Sequence, residues 1–124
     1  MDERFRVITH RGKEIMLVDV SHCEPQEILA ILPDVQDEIA QRPENSVLTL
    51  ADFTGAHVDK NVATRIKELL VFDRPYVKRS AWVGVESLPH VFYENFKTFS
   101  QRDFPTFKTR DEAMDWLVED QSAA

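Results

Sequence analysis

The stretch LADFTGAHVDKNVATRIKELL, residues 50–70, decides the fold of this chain. It begins as an apolar run, turns through Thr54 and Gly55, and continues with apolar residues at helical spacing. The longer segment SVLTLADF is apolar almost throughout, which is typical of a strand buried on both faces. The stretch therefore predicts a buried β-strand, a tight turn and an amphipathic helix, which together form the repeating unit of an α/β domain.

Further strands and a helix precede this unit. Two strands, RFRVITH and KEIMLVDVSH, are predicted to form a hairpin in which Gly12 supplies a positive φ angle. A helix follows, with Pro25 in its first turn. Pro33 lies inside the same apolar pattern, so we expect this helix to kink or to split near Leu32.

Strands and helices also alternate after the central unit. YVKRSAWVGV and FPTFK predict two more strands, and a helix capped by Ser87, with Pro89 in its first turn, is expected between them. Thr109 and Glu112 form a capping box that opens a last helix. The predicted fold is α/β, in the order ββαβαβαβα, with a mostly parallel sheet and one antiparallel edge strand. We expect one domain, ordered over about 5–120, with QSAA as a loose tail.

Composition restricts the possible functions. The net charge of −7 argues against a dedicated nucleic-acid-binding protein. The start MDERFR and the short apolar runs predict neither a secretory signal nor a membrane span, so we expect a cytoplasmic protein. Cys23 is the only cysteine, which excludes an internal disulfide and a cysteine metal cage.

The charge is distributed unevenly along the chain. Residues 19–44 hold seven acids and one base (net −6), whereas residues 60–79 hold six bases and two acids (net +4). The pattern is consistent with two solvated faces of opposite sign. It is also consistent with a polar surface that orients a partner.

Three segments, SVLTLADFTGA, RPYVKRSAWVGV and FKTRDEAMDWLVED, resemble in this order a group of small bacterial STAS/SEC14-like proteins. The strand, turn and helix of residues 50–70 likewise resemble the STAS family of anti-sigma-factor antagonist domains. The resemblance extends from about Phe5 to Asp120. It implies successive βα units with the helices mainly on one face of the sheet, and kinship with the CRAL–TRIO lipid-carrier fold.

The resemblance also bears on regulation. In STAS domains a serine at the start of the second helix is phosphorylated by a partner kinase, which switches partner binding. Here Asp59 is expected to cap that helix, and the serine is replaced by Lys60 or Asn61. Because Lys60 places a fixed positive charge where a phosphate would bring negative charge, we expect residues 52–61 to form a βα turn that serves at most as a docking point, without a phosphate switch.

Candidate contact residues cluster at the turn. Asp52 ends one predicted strand and Asp19 ends its neighbour, where α/β sheets open their ligand crevices. The two acids could bind Mg²⁺, or Asp52 could accept hydrogen bonds from its own turn. Thr54 and Gly55 could contact an anion at the helix start, or could only form the turn. Arg79 could contact an anion at the sheet edge, or could pair with Asp52 or Asp19.

The third helix carries more apolar side chains than one stripe requires, namely Val91, Phe92, Tyr93, Phe96 and Phe99. These side chains could form core, line an apolar pocket beneath a helical lid, or form a dimer interface. They could also touch an anionic membrane beside Lys97 and Arg102. We expect a homodimer, because the surplus exceeds what a domain of this size easily buries.

The sequence contains no nucleophile elbow, metalloprotease motif or phosphate-binding loop, and its four histidines lack metal-ligand spacing. We therefore expect no catalysis, no cofactor and no metal. The leading hypothesis is a STAS-like binding or regulatory module that acts on a protein partner. The alternative is a carrier or sensor of a small apolar ligand or lipid, with peripheral membrane contact at most.

Overall fold

The computed structural model describes residues 4–100 and 105–119 of the chain. Within them the secondary structure follows the predicted order, ββαβαβαβα. The elements are β1 (Phe5–His10), β2 (Lys13–Asp19), α1 (Pro25–Ala40), β3 (Val47–Asp52), α2 (Lys60–Asp73), β4 (Val77–Val83), α3 (His90–Ser100), β5 (Thr106–Phe107) and α4 (Arg110–Leu117). The tail QSAA, together with Arg102 and the side chain of Phe99, lies outside the described part.

The five strands form one sheet in the order β1-β2-β3-β4-β5. β1 pairs with β2 in antiparallel orientation, and the other three pairs are parallel. The parallel sheet with one antiparallel edge strand is therefore confirmed. Arg11 and Gly12 both have positive φ in the first hairpin, as a two-residue turn of this type requires.

Helices cover both faces of the sheet unequally. α1, α2 and α3 pack over the face that carries Val20, Phe53 and Trp82. α4 packs alone over the opposite face, where Leu50 and Ala81 are completely buried. Strand β3 is covered on both sides, as its apolar sequence predicted. The expectation that the helices lie mainly on one face is confirmed, and α4 is the exception.

Two expectations about proline and serine are corrected. α1 runs through Pro33 without a break, so the predicted split near Leu32 is wrong. Pro33 is exposed, and water can solvate the carbonyl that its missing N–H leaves without a donor. Ser87 caps no helix, because a 3₁₀ turn (Val85–Ser87) and an extended Leu88 precede α3.

Trp82 accounts for much of the aromatic surplus on α3. Its ring lies 5.8 Å from the ring of Phe96 and 5.9 Å from that of Tyr93, and Phe53 approaches it from the sheet at 4.8 Å. Phe96 is completely buried, whereas Val91 is 60% exposed. The apolar side chains of α3 are thus largely part of the core. This weakens the argument that a dimer is needed to bury them. The homodimer itself stays a prediction.

Replacing Phe96 with Ala should lower the free energy of unfolding by about 3–5 kcal/mol, because the cavity left beside Trp82 has no other side chain to fill it. Val91→Ala, on the exposed side of the same helix, is the matched control. It should leave stability nearly unchanged. Chemical denaturation of both variants measures the difference, and equal losses would show that Phe96 does not anchor α3.

Candidate functional site

Two short acidic motifs end neighbouring parallel strands. Asp19-Val20-Ser21 follows β2 and Asp52-Phe53-Thr54 follows β3, and the two aspartates are register partners. In each motif one carboxylate oxygen accepts hydrogen bonds from the backbone N–H and the hydroxyl two residues later. These bonds measure 3.0 and 2.6 Å at Ser21 and 3.0 and 2.7 Å at Thr54. The prediction that Asp52 holds its own turn is confirmed.

Arg110 joins the two carboxylates. Its Nε donates to Asp52 Oδ2 at 2.8 Å, and its Nη2 lies 3.1 Å from Asp19 Oδ2. Strand alternation points both aspartates to the face covered by α4, and Arg110 is the first residue of that helix. One guanidinium therefore neutralises two acids that would otherwise repel each other across adjacent strands. We call Asp19, Asp52 and Arg110 the edge cluster.

The edge cluster is partly withdrawn from water. The Asp52 side chain is 8% exposed, that of Asp19 18% and that of Arg110 33%. Burial raises the pKa of Asp19, but hydrogen bonds from Ser21 and Arg110 outweigh burial and hold that pKa below its ordinary value. Burial likewise opposes the charge on Arg110, yet the two carboxylates raise the pKa of its guanidinium.

The loops beyond the strand ends interlock at this edge. Backbone bonds continue the sheet from Val20 N to Asp52 O and from His22 N to Thr54 O. The Gly55 N–H donates to the hydroxyl of Ser87 at 2.7 Å, which joins the second loop to the third. Ser87 thus has a different role from the cap that the sequence suggested.

Two glycines permit this close approach. Gly55 has a φ of +67°, and a Cβ atom there would overlap the imidazole ring of His22. Gly84 has a φ of +75°, and a Cβ atom there would overlap the backbone and hydroxyl of Thr54. Glycine is therefore needed at position 55 for two reasons: the turn requires positive φ, and the His22 ring leaves no room for a side chain. The edge formed by these loops is closely packed.

Several predicted contact residues stay exposed above the edge cluster. The Asp59 side chain accepts from Val62 N at 2.9 Å, which confirms it as the cap of α2. A band of exposed polar side chains borders this helix start. We call it the platform; its members are Thr54, His57, Asp59, Lys60 and Asn61.

The structure places Arg79 elsewhere, so its predicted pairing with Asp52 or Asp19 is wrong. Arg79 lies near the start of β4, four residues before the register partner of Asp52, a separation of about 13 Å along the strand. Its guanidinium lies 3.6 Å from the centre of the Trp116 ring and donates to the carbonyl of Glu119 at 3.4 Å. It packs beneath α4, and Arg110 occupies the position that was expected for it.

Tyr93 and Phe96 pack against Trp82, and Phe92 packs against the same apolar core, so none of the three belongs to the edge cluster. One apolar cavity measures about 60 Å³ and lies between the sheet, α1 and α2. None of its described lining residues comes from α3. Its volume is well below the roughly 300 Å³ of a small-ligand pocket, so this cavity gives no support to a lipid pocket under a lid.

Metal and membrane sites are also constrained. No three His, Cys, Asp or Glu side chains within residues 4–100 and 105–119 lie close enough together to hold a metal ion. At the position considered for Mg²⁺, the cation beside Asp19 and Asp52 is the guanidinium of Arg110. Over the same residues, every helix is too short or too polar to cross a bilayer.

Sequence reasoning missed Arg110 and Ser21, and it assigned Ser87 a different role. The repeated pattern Asp-x-Ser/Thr at two strand ends was a usable signal, because such side chains bond their own turns. Topology was another signal. A helix that follows a parallel strand begins at the carboxyl edge of the sheet, so topology places Arg110 at the same edge as both aspartates. Nothing in the sequence indicated the bond between Gly55 and Ser87.

Arg110→Gln should lower the free energy of unfolding at neutral pH by about 1–3 kcal/mol, because it leaves two shielded carboxylates without their counter-charge. The pKa of Asp19 is lowered in the folded state, so its contribution to stability is present above its unfolded pKa and is lost as pH falls through the folded value. The deficit of the variant should therefore shrink below about pH 4.

Arg11→Gln is the matched control, since Arg11 pairs with Asp115 at an exposed position. It should cost much less than Arg110→Gln. Urea denaturation of both variants at neutral and acidic pH measures the two effects. Equal losses for the two variants, or a deficit that is independent of pH, would contradict the role given to the edge cluster.

Gly84→Ala should destabilise the fold more than Gly12→Ala. Both positions have positive φ, so both variants bear the strain of a left-handed alanine, about 1–2 kcal/mol. At Gly12 nothing lies within 4 Å of the added Cβ, whereas at Gly84 it overlaps Thr54. We expect an additional loss of at least about 1 kcal/mol at Gly84, measured by thermal unfolding. Equal losses would show that the loops are not interlocked there.

No protein-family model and no curated protein matches this sequence. Two solved structures share the fold. One is an uncharacterised DUF3478-family protein with a SpoIIAA-like fold from Shewanella loihica PV-4, with a TM-score of 0.71, 17% identity and 92% of each chain covered. The other is an anti-sigma-factor antagonist (STAS) domain protein from Planctomyces limnophilus, with a TM-score of 0.61, 13% identity, and 93% of this chain and 98% of that chain covered. The STAS-like resemblance is thus confirmed at the level of architecture: this chain has the SpoIIAA-like fold.

Proposed function

We propose that this chain is a non-enzymatic regulatory module that binds a protein partner through the platform. The observation that carries the proposal is the edge cluster beneath it. Ligands of open α/β sheets bind in the crevice at the carboxyl ends of the strands. Here Arg110 fills that position and engages both carboxylates. The crevice is thus filled, and the part of this edge that stays accessible is the platform.

The construction of the edge suits recognition of a protein surface. The loops are joined to one another by backbone bonds and by the contact between Gly55 and Ser87. A surface that is ordered before binding loses little conformational entropy when the partner arrives. Its exposed groups are polar and of both signs, which is typical of the rim of a reversible interface.

The chemistry of the helix start supports docking that is independent of a phosphate switch. Asp59, Lys60 and Asn61 have no hydroxyl group to accept a phosphate. The nearest hydroxyl on the helix, that of Thr64, donates to the carbonyl of Lys60 at 3.0 Å. Lys60 offers a cation and Asn61 offers both a donor and an acceptor, so the platform suits a partner surface with an acidic group at its centre.

The fold provides a second line of support. One of the similar structures is named as an anti-sigma-factor antagonist domain protein, a name that denotes action on another protein. The same mode of action in this chain would need only an accessible surface. The platform is such a surface.

Site-specific photocrosslinking tests the proposal. A photoreactive amino acid at position Asn61 should give a discrete adduct with one protein in cells of the source organism. The same amino acid at Lys13, exposed at the opposite edge of the sheet, is the control for random encounter. Lys60→Glu should abolish the adduct, because it reverses the charge at the centre of the platform, while Lys78→Glu should leave it intact.

Purification of the crosslinked partner then permits a binding measurement by calorimetry. Comparable adducts from Asn61 and Lys13 would contradict the proposal, as would an adduct that survives Lys60→Glu. Absence of any adduct from Asn61 would also count against it.

A further inference from the structure

The outer surfaces of α1 and α2 carry opposite charge. These two helices pack side by side on one face of the sheet. The exposed side of α1 presents Glu27, Asp34 and Asp37, and α1 contains no basic residue. The exposed side of α2 presents Lys60 and Arg65, with one acid, Glu68, further along the helix. We call the two surfaces the acidic face and the basic face.

Four charged side chains on the two faces form no ion pair within the described part of the chain. Among residues 4–100 and 105–119, Asp34 and Asp37 make no ion pair, and neither do Lys60 and Arg65. By contrast, Arg42 at the end of α1 pairs with Glu38 at 2.9 Å. The acidic and basic faces therefore remain available to charges outside the chain.

We propose that the acidic and basic faces bind each other in a second copy of this chain, in a symmetric dimer. The two faces are complementary in sign, are adjacent, and have similar lengths, about 24 Å for the 16 residues of α1 and about 21 Å for the 14 residues of α2. A twofold dimer uses the same surface of both copies, so a surface with an acidic half and a basic half is complementary to itself.

The charges also select the symmetry axis. α1 and α2 both return from the carboxyl edge to the opposite edge, so they run in the same direction. An axis perpendicular to the helices would place α1 on α1 and α2 on α2, with like charges opposed. An axis parallel to the helices places α1 of each copy on α2 of the other. This second arrangement is the proposed one.

The contact is small and polar. Two helices about 10 Å apart and about 24 Å long cover roughly 500 Å², less than the roughly 800 Å² per partner of a stable complex. Half-exposed Val71 and the exposed Pro33 supply only modest apolar area. The dimer is therefore weak, reversible and dependent on salt. This surface differs from the α3 surface that the sequence suggested.

Reciprocal charge reversal tests the arrangement. Arg65→Glu makes the basic face repel the acidic face of an identical copy, and Asp34→Arg does the same from the other side. Each variant alone should be monomeric in sedimentation velocity at about 0.1 M salt, where charges act over about 10 Å. An equimolar mixture should recover the dimer, because both contacts between the unlike copies are then between opposite charges.

Controls separate charge from folding. Lys78→Glu and Glu44→Arg change the net charge by the same amounts at exposed positions off both faces, and they should remain dimeric. Circular dichroism and thermal unfolding verify that every variant is folded. The unaltered chain should become monomeric at about 1 M salt, where the screening length falls to about 3 Å.

Three results would overturn the proposal. The first is a monomeric unaltered chain at high micromolar concentration in low salt. The second is a dimer that survives either charge reversal or high salt. The third is a mixture of Arg65→Glu and Asp34→Arg that stays monomeric while both variants are folded. Since Arg65 lies outside the platform, binding of the proposed partner is measured independently of these outcomes.

Discussion

The carboxylate of Asp52 connects the turn after β3 with the start of α4. One of its oxygens accepts from the backbone and hydroxyl of Thr54 and so fixes the turn after β3. The other accepts from Arg110 and so fixes the start of α4 on the opposite face of the sheet.

α4 has eight residues, and a helix of that length is unstable in isolation. It depends on the apolar contacts of Ala113 and Leu117 with the sheet and on the ion pair at its first residue. The same ion pair lets two aspartates end adjacent strands, a position at which like charges alone would destabilise the sheet.

This arrangement changes what the carboxyl edge can do. In an open α/β sheet, side chains at this edge are available to a bound ligand. Here both carboxylates of the edge cluster have partners within the chain, and Gly55 N–H is bonded to Ser87. Binding energy must then come from groups above the edge or from the outer surfaces of the helices. The exposed cap region of α2 and the charged faces of α1 and α2 are the groups that we propose for this role. Lys60 belongs to both surfaces, but Arg65 and Asp34 lie outside the platform, so charge changes at these two residues would test self-association while leaving the platform intact.

Most of the fold was predictable from the sequence, because it follows from local patterns. The apolar run of β3 indicated a central strand, and Asp59 and Thr109 indicated helix starts that the structure confirms.

The site was less predictable, because it depends on which ends of the elements meet. The pairing assigned to Arg79 ignored the length of β4, which separates that residue from Asp52. Arg110 could have been placed by topology, since a helix after a parallel strand starts at the carboxyl edge. The role of Trp82 was not visible, because its contacts with Phe53 and Phe96 join residues that are distant in the chain.

The symmetry of the proposed dimer links the two surfaces. A twofold axis parallel to α1 and α2 preserves their direction, so both helices of both copies start at the same end of the assembly. Each α2 starts beside its own platform, and the two platforms therefore face the same way.

A partner that presents two binding surfaces could occupy both platforms at once. The second contact would then form within one complex, at an effective concentration far above that of free protein. A weak dimer would in this way be stabilised by the partner, and the partner would be held more tightly by the dimer, because each equilibrium favours the other.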